Sequence, residues 1–143
     1  MYVASLYLVP AELSLGTTSL EPADFFRRHI SSGETEPKLL IAWNETLVPV
    51  AWDCEVYGND EDALSYRRSV SKKDLTAFLT ECHWRKQMAD IMLFNGLCKD
   101  TKALEEEVNQ LESLIDTLTK VITENDFSKS SVCYVSEYLY LHR

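Results

Sequence analysis

The pattern of apolar and polar positions predicts four strands. Residues 2–9 alternate aromatic, β-branched and small residues and stop at Pro10, which predicts a first strand. Asn44-Glu45-Thr46 lies between two apolar runs, and this short polar connection is typical of a hairpin. The runs rich in β-branched and aromatic residues that predict the other strands cover 38–43, 47–57 and 132–141.

Helical spacing predicts two helices before the last part of the chain. Pro22 is a suitable first helical residue, and the amphipathic stretch 23–30 after it predicts a short helix. Ser71 and Asp74 resemble a capped helix start, and a 3.6-residue apolar stripe after them predicts a long helix over 72–94. That stripe consists of Leu75, Phe78, Leu79, Cys82, Ala89, Met92 and Leu93.

A further helical segment covers 100–124, and Asn95-Gly96 before it suggests a break between the two long segments. If the chain turns there, the segments fold back as an antiparallel helical hairpin. If it does not turn, one helix of about 50 residues and about 75 Å projects from the domain and needs a partner. We favour the hairpin.

The order of these elements predicts the fold class. It is strand, helix, strand, strand, two helical segments and strand, with residues 63–70 interpreted as a polar connection. This is the βαββαβ order of ferredoxin-like α+β folds, with an enlarged helical segment over 72–124 before the last strand. The chain has 143 residues, enough for an ordinary core, so we expect a single domain over 1–143.

The last helical segment carries a heptad repeat. Leucines recur every seven residues at the d positions, β-branched residues occupy most a positions, and Thr101 is the polar a position. This arrangement favours two-stranded helical packing. The seam residues are Leu97, Leu104, Val108, Leu111, Ile115, Leu118 and Ile122. The repeat therefore predicts a surface for another helix, which belongs either to this chain's own core or to a partner.

Charges beside the seam argue against one kind of assembly. In a parallel homodimer, Asp100 would face Glu105 of the other copy, and Glu107 would face Glu112. Both pairs set acid against acid. A parallel homodimeric zipper is therefore disfavoured, whereas other homo-oligomers and hetero-complexes stay open.

The whole chain is acidic, with 23 acidic and 14 basic side chains and a formal net charge of −9. Direct binding to DNA or RNA would have to overcome this field and is disfavoured. The charge suits a basic or nucleic-acid-binding protein as a partner, although solubility alone also explains it. The candidate contacts are Glu105, Glu106, Glu107 and Glu112.

The sequence predicts no contact with a membrane. The first residues lack the basic start of a signal peptide, and the longest apolar stretch, 39–52, is interrupted by polar residues. We therefore expect a soluble, cytoplasmic protein. In that compartment the scattered cysteines are expected to be reduced thiols, buried as small hydrophobic side chains. They are Cys54, Cys82, Cys98 and Cys133.

Residues suited to chemistry are few. His29, His83 and His142 stand in no metal-binding spacing, so no metal or other cofactor is expected. Asp53 and Glu55 alternate on a predicted strand, which would turn both carboxylates to one side. Such a pair could hold Mg²⁺ or act as acid and base, but a charged strand end explains the same residues more simply.

These features predict a small acidic interaction protein without enzymatic activity. It would act as a regulator, inhibitor or adaptor through its helical surface on a partner protein. One alternative is a structural homo-oligomer built on a helical bundle. Another is a minor enzyme that uses the Asp53/Glu55 carboxylates.

Overall fold

The computed structural model describes residues 2–10, 38–57, 64–97 and 99–138. These residues form an antiparallel sheet with a pair of long helices packed on it. The elements are β1 (Tyr2–Pro10), β2 (Lys38–Asn44), β3 (Glu55–Tyr57), β4 (Leu64–Val70), α1 (Lys72–Phe94), α2 (Thr101–Glu124) and β5 (Ser130–Tyr138). Among the described residues, no helix is long and apolar enough to cross a membrane.

The first and last strands form the centre of the sheet. Within the described residues the strand order is β2-β1-β5-β4-β3, and each strand runs antiparallel to its neighbour. The β1–β5 ladder extends from Tyr2 opposite Tyr138 to Pro10 opposite Ser130. Successive residues Val132 and Cys133 of β5 point to opposite faces, and both are buried. The last strand is therefore covered on both sides.

The α+β class is confirmed, but the ferredoxin-like order is not. A single helix between two neighbouring strands returns the chain to the same end of the sheet and makes the strands parallel. A pair of helices that fold back on each other reverses the direction of the chain once more and makes the connected strands antiparallel. Since α1 and α2 together connect β4 to β5, these adjacent strands are antiparallel.

The predicted polar connection 63–70 is wrong, because residues 64–70 form β4. This strand pairs with β3 on one side and with β5 on the other. Its sequence, LSYRRSV, has only a weak alternation of apolar and polar residues. In the sheet it pairs with β5 from Leu64 opposite Glu137 to Val70 opposite Val132, with a register shift after Arg67.

The predicted hairpin between 38–43 and 47–57 is also wrong. β2 pairs with β1, and only residues 55–57 of the second run form a strand. After β2 the chain turns at residues 45–47 and continues through 49–54 without regular structure.

Core packing replaces strand pairing in this irregular segment. The indole Nε1 of Trp43 donates a hydrogen bond to the carbonyl of Val48 at 2.9 Å. The Trp52 ring packs edge-on against Phe78 of α1 and Tyr134 of β5, with centroid distances of 5.3 Å in both cases. The apolar residues that predicted a strand are thus used to fill the space between sheet and helices.

The predicted break at Asn95-Gly96 is confirmed, and so is the helical hairpin. Gly96 has φ 62°, a left-handed conformation that glycine adopts readily. Its N–H bonds the Leu93 carbonyl at 3.3 Å, and the N–H of Leu97 bonds the Met92 carbonyl at 3.0 Å. This pair of bonds is the Schellman motif that ends many helices. It ends α1 and lets α2 pack back along it.

Both helices begin at capping side chains. Ser71 Oγ accepts a hydrogen bond from the N–H of Asp74 at 3.1 Å, as the sequence predicts. The Asp74 carboxylate instead binds Arg67 of β4 at 2.7 Å and so ties the helix to the sheet. Asp100 caps α2 by accepting from the N–H of Ala103 at 3.2 Å.

The main core lies between the hairpin and one face of the sheet. From α1 it takes Phe78 and Cys82, and the apolar stripe predicted for this helix is confirmed. From α2 it takes a row of leucines that are fully buried. The buried residues of this core include Ala4, Leu6, Trp43, Val48, Val70, Leu75, Leu111, Leu114, Leu118, Val132 and Tyr134.

Several predictions fall on residues outside the described part of the chain. These are the short helix over 23–30, the end of the last strand at 139–141, His29, His142 and Cys98.

Candidate functional site

Most of the heptad seam packs inside this chain. Leu111 and Leu118 are fully buried, and Leu104 and Val108 are nearly so. Ile115 and Ile122 are partly buried and pack against the main core, which contains Leu111 and Leu118. Leu97 lies beyond the end of α1 and is 69% exposed. The Leu97 end of the seam is therefore the part that remains open to a partner.

A group of exposed apolar side chains surrounds this end of the hairpin, and we call it the tip patch. Its members lie on α1 or just after it, and the sequence did not predict them as a group. Phe94 is 91% exposed and Trp84 is 64% exposed. The tip patch consists of Trp84, Met88, Ile91, Phe94 and Leu97.

The spacing of the tip patch explains why it was missed. Trp84, Met88 and Ile91 follow each other at four and three residues and so share one face of α1. The stripe used for prediction, which includes Ala89 and Met92, occupies another face and is turned toward α2. Because α1 is apolar on both faces, the inward stripe alone does not reveal the outward one.

The distal half of the hairpin, residues 83–108, has a small core of its own. Ala89, Leu104 and Val108 are buried together, with Met92 and Leu93 packed against them. This cluster is separate from the cluster that includes the sheet residues. At 1.5 Å per residue, the end of α1 beyond Cys82 extends about 18 Å. The distal half therefore projects past the residues that bind the hairpin to the sheet.

A groove of ≈ 380 Å³ runs between the two helices in this distal half. Arg85 and Met88 on its α1 side lie two and three turns after Phe78, whose ring contacts the sheet residue Trp43. On α2, Glu107 lies one turn before Gln110, which accepts a hydrogen bond from the N–H of Asn44 at 2.8 Å. The groove therefore lies on the sheet-facing side of the hairpin, in the distal part that the sheet does not cover. It is lined by Glu81, Trp84, Arg85, Met88, Ala89, Met92, Leu104 and Glu107.

Charged side chains of residues 81–112 are mostly acidic. Arg85 forms an ion pair with Glu81 at 3.0 Å, and Lys86 binds Asp90 at 3.1 Å. Lys86 also lies 3.9 Å from Glu112, so one of the predicted contact residues faces this cation. Overall, residues 81–112 carry seven acidic and four basic side chains.

The other three predicted acidic contacts have no partner in the described part of the chain. Glu105 and Glu106 are exposed, and Glu107 is half-buried at the groove. None of the three makes an ion pair or hydrogen bond with a described residue. Their charge is therefore available to a binding partner.

A polar cluster that was not predicted connects the turn after β2 to β5, across β1. Tyr134 Oη donates to Glu45 Oε1 at 2.6 Å, and Ser136 Oγ donates to the other oxygen of the same carboxylate. Burial, together with the hydrogen bond to Glu45 and its negative charge, raises the pKa of the Tyr134 phenol well above its usual value. Both hydroxyl protons are held by one carboxylate, so the cluster joins the turn after β2 to β5.

The carboxylate pair proposed for an enzyme does not sit on one strand. Asp53 lies in the irregular segment before β3 and is exposed, whereas Glu55 is the first residue of β3. The premise that the two alternate along a strand is therefore wrong. Across the residues that the structure describes, no group of three or more histidine, cysteine, aspartate or glutamate side chains could hold a metal ion.

The described thiols are poorly suited to nucleophilic chemistry. The prediction of burial is confirmed for Cys82 and Cys133, whereas Cys54 is half-buried. Burial raises the pKa of the Cys82 thiol to about 12, and burial also raises that of Cys54 despite the nearby Arg67 cation. Since the thiolate is the reactive form, Cys82 and Cys54 stay protonated and unreactive at neutral pH.

We expect Cys82 to make the fold sensitive to alkali. Its folded-state pKa is raised, so its contribution to stability is full below the pKa of an unfolded thiol, 9.0, and is lost as the pH rises toward about 12. In that window the free energy of unfolding should fall about 1.4 kcal/mol per pH unit faster in the wild type than in Cys82→Ala. Urea denaturation at pH 8, 9, 10 and 11 measures both slopes, and equal slopes would contradict the prediction.

Comparison of the chain with known protein families, curated proteins and solved structures gives no significant match. The tip patch and the groove are therefore the features from which a function can be inferred.

Proposed function

We propose that this protein is a small acidic interaction protein that binds a partner protein through the distal half of its helical hairpin. Its role would be that of a regulator, inhibitor or adaptor rather than an enzyme. The observation that carries the proposal is the tip patch, in which five large apolar side chains recur every three or four residues and are exposed. Large contiguous apolar patches are rare on monomeric proteins and commonly mark interaction sites.

The composition of the tip patch supports this role. Aromatic residues and methionine are enriched where proteins bind each other, and tryptophan often contributes much of the binding energy. Trp84, Met88 and Phe94 supply these residue types at the patch. Met92, in the adjoining groove, adds a second flexible and polarisable side chain that adapts to the shape of a partner.

The scaffold under the tip patch is well defined. The Schellman motif at Gly96 fixes the turn, and the Asp100 cap fixes the start of α2. The small core around Ala89 and Val108 holds the two helices together beyond the sheet. A patch on such a support is partly preorganised, so binding needs little further ordering of the backbone.

Photo-crosslinking tests the proposal directly. A benzophenone amino acid replaces either Phe94, in the tip patch, or Thr119, which is exposed on α2 about 27 Å along the helix from its start. Both chains are expressed in the native host and irradiated. We expect a discrete adduct with another protein from position 94 and little from position 119. Equal adducts from both positions, or none from position 94, would contradict the proposal.

The same experiment separates a hetero-complex from a homo-oligomer. An adduct that contains two copies of this chain would support the structural homo-oligomer. An adduct that contains a different protein supports the interaction protein. The mass of purified protein measured by sedimentation over a range of concentrations provides an independent check on self-association.

A further inference from the structure

The groove differs from the rest of the distal half in having an apolar floor and acidic margins. Met88, Ala89, Met92 and Leu104 provide the floor. Glu107 stands on the α2 margin and Glu81 on the α1 margin. Among the described residues that line the groove, the cation is Arg85, and it is already paired with Glu81. A ligand for this groove therefore needs an apolar stripe and positive charge beside it.

The backbone around the groove restricts the ligand further. Both walls are helices, whose N–H and C=O groups are bonded within the helix except at the ends. A groove of this kind offers no sheet edge to which an extended peptide could add as a strand. A ligand must satisfy its own backbone while presenting side chains, and a helix does so. The length of the groove side of α1 beyond Cys82, about 18 Å, corresponds to about three turns.

Charge complementarity selects between two helical ligands. A second copy of this chain would bring the same acidic distal half, and a two-fold symmetric contact places a patch against itself. Seven acidic and four basic side chains would then face an identical set. A lysine- or arginine-bearing helix meets no such repulsion and can pair with Glu107, which has no partner among the described residues.

We infer that the groove between α1 and α2 binds a basic amphipathic helix of a partner protein, which lays its apolar stripe on Met88 and Met92 and its cations beside Glu107. This inference rests on the proposed function, because it identifies the ligand of the same distal half. The hairpin and the bound helix would form a three-helix arrangement.

Designed peptides test the inference. Two 18-residue helical peptides carry the same leucine stripe, with lysine at the remaining positions in one and glutamate in the other. Their affinity for the full chain is measured by fluorescence anisotropy of a label on the peptide. We expect the lysine peptide to bind at least about tenfold more tightly than the glutamate peptide. Equal affinities would overturn the inference.

Matched variants distinguish the groove from the general acidity of the chain. Glu107→Lys and Asp116→Lys change the net charge equally, but only Glu107 lines the groove. We expect Glu107→Lys to weaken the lysine peptide about fivefold more than Asp116→Lys does. Likewise, Met88→Ser should weaken binding, whereas Leu39→Ser, at an exposed residue of β2, should not. Equal losses within each pair would overturn the inference.

The two proposals fail in different ways. If position 94 crosslinks to another protein but the peptide experiment gives no preference for lysine, the interaction site stands and the basic helix is wrong. If position 94 gives no adduct, the proposed function itself fails. Circular dichroism of every variant confirms that a lost affinity does not reflect a lost fold.

Discussion

Leu111→Ala is expected to lower the free energy of unfolding by about 3–5 kcal/mol, whereas Leu97→Ala should change it by less than about 0.5 kcal/mol. Both leucines occupy d positions of the same heptad repeat, two heptads apart. Leu111 is fully buried in the core between hairpin and sheet, while Leu97 is 69% exposed at the tip. The same chemical change therefore leaves a cavity at one position and removes only exposed surface at the other.

Urea denaturation followed by far-ultraviolet circular dichroism measures both variants. Leu111→Lys should be more severe, because it places a charge in a core without a partner, and we expect it to unfold the chain. If Leu111→Ala and Leu97→Ala had the same small effect, the seam would not be part of this chain's core. If the Leu97 variant lost as much stability as the Leu111 variant, the tip would be packed rather than available for binding.

The sequence predicts the helices well because their signals are local. The cap at Ser71, the apolar stripe through Phe78 and the glycine at position 96 each act within a few residues of chain. The structure uses each of them as the sequence predicts. From the sequence, Asn95-Gly96 only favours a hairpin over a single long helix; in the structure, Gly96 at φ 62° ends the helix there.

Strand pairing is predicted less well because it depends on distant residues. β2 and residues 55–57 are close in sequence, yet they pair with β1 and β4 at opposite sides of the sheet. β4 contains Arg67-Arg68, and such charged pairs are typical of a loop or an exposed edge. Its place beside β5 follows from the direction in which the helical hairpin returns the chain. No feature within residues 64–70 encodes that direction.

The candidate site was predicted in part. The acidic residues 105–107 were recognised, because charge can be read directly from the sequence. The heptad repeat predicts that α2 packs against something, but periodicity alone does not say whether the neighbour is α1 or a partner. Trp84, Met88 and Ile91 show helical spacing too. Only the structure shows that α2 covers the other face of α1 and leaves this one exposed.

The partly buried carboxylate of Glu45 provides the other large expected effect. Glu45→Ala removes the acceptor shared by the hydroxyl groups of Tyr134 and Ser136, both of which are almost fully buried. A buried donor without an acceptor costs about 1–3 kcal/mol, so we expect a loss of about 2–4 kcal/mol in the free energy of unfolding. Glu45→Gln keeps one oxygen as an acceptor and should lose less. Urea denaturation at pH 7 measures both variants.

Two further variants show whether the hydroxyl groups cause this loss. Glu105→Ala removes an exposed glutamate that has no bond to a described residue, and it should change stability by less than about 0.5 kcal/mol. Adding Tyr134→Phe to Glu45→Ala removes one orphaned donor, so the double variant should be no less stable than Glu45→Ala alone. If Glu45→Ala cost no more than Glu105→Ala, water would be satisfying both hydroxyl groups. The cluster would then lie open to solvent and would not anchor the turn after β2 to the last strand.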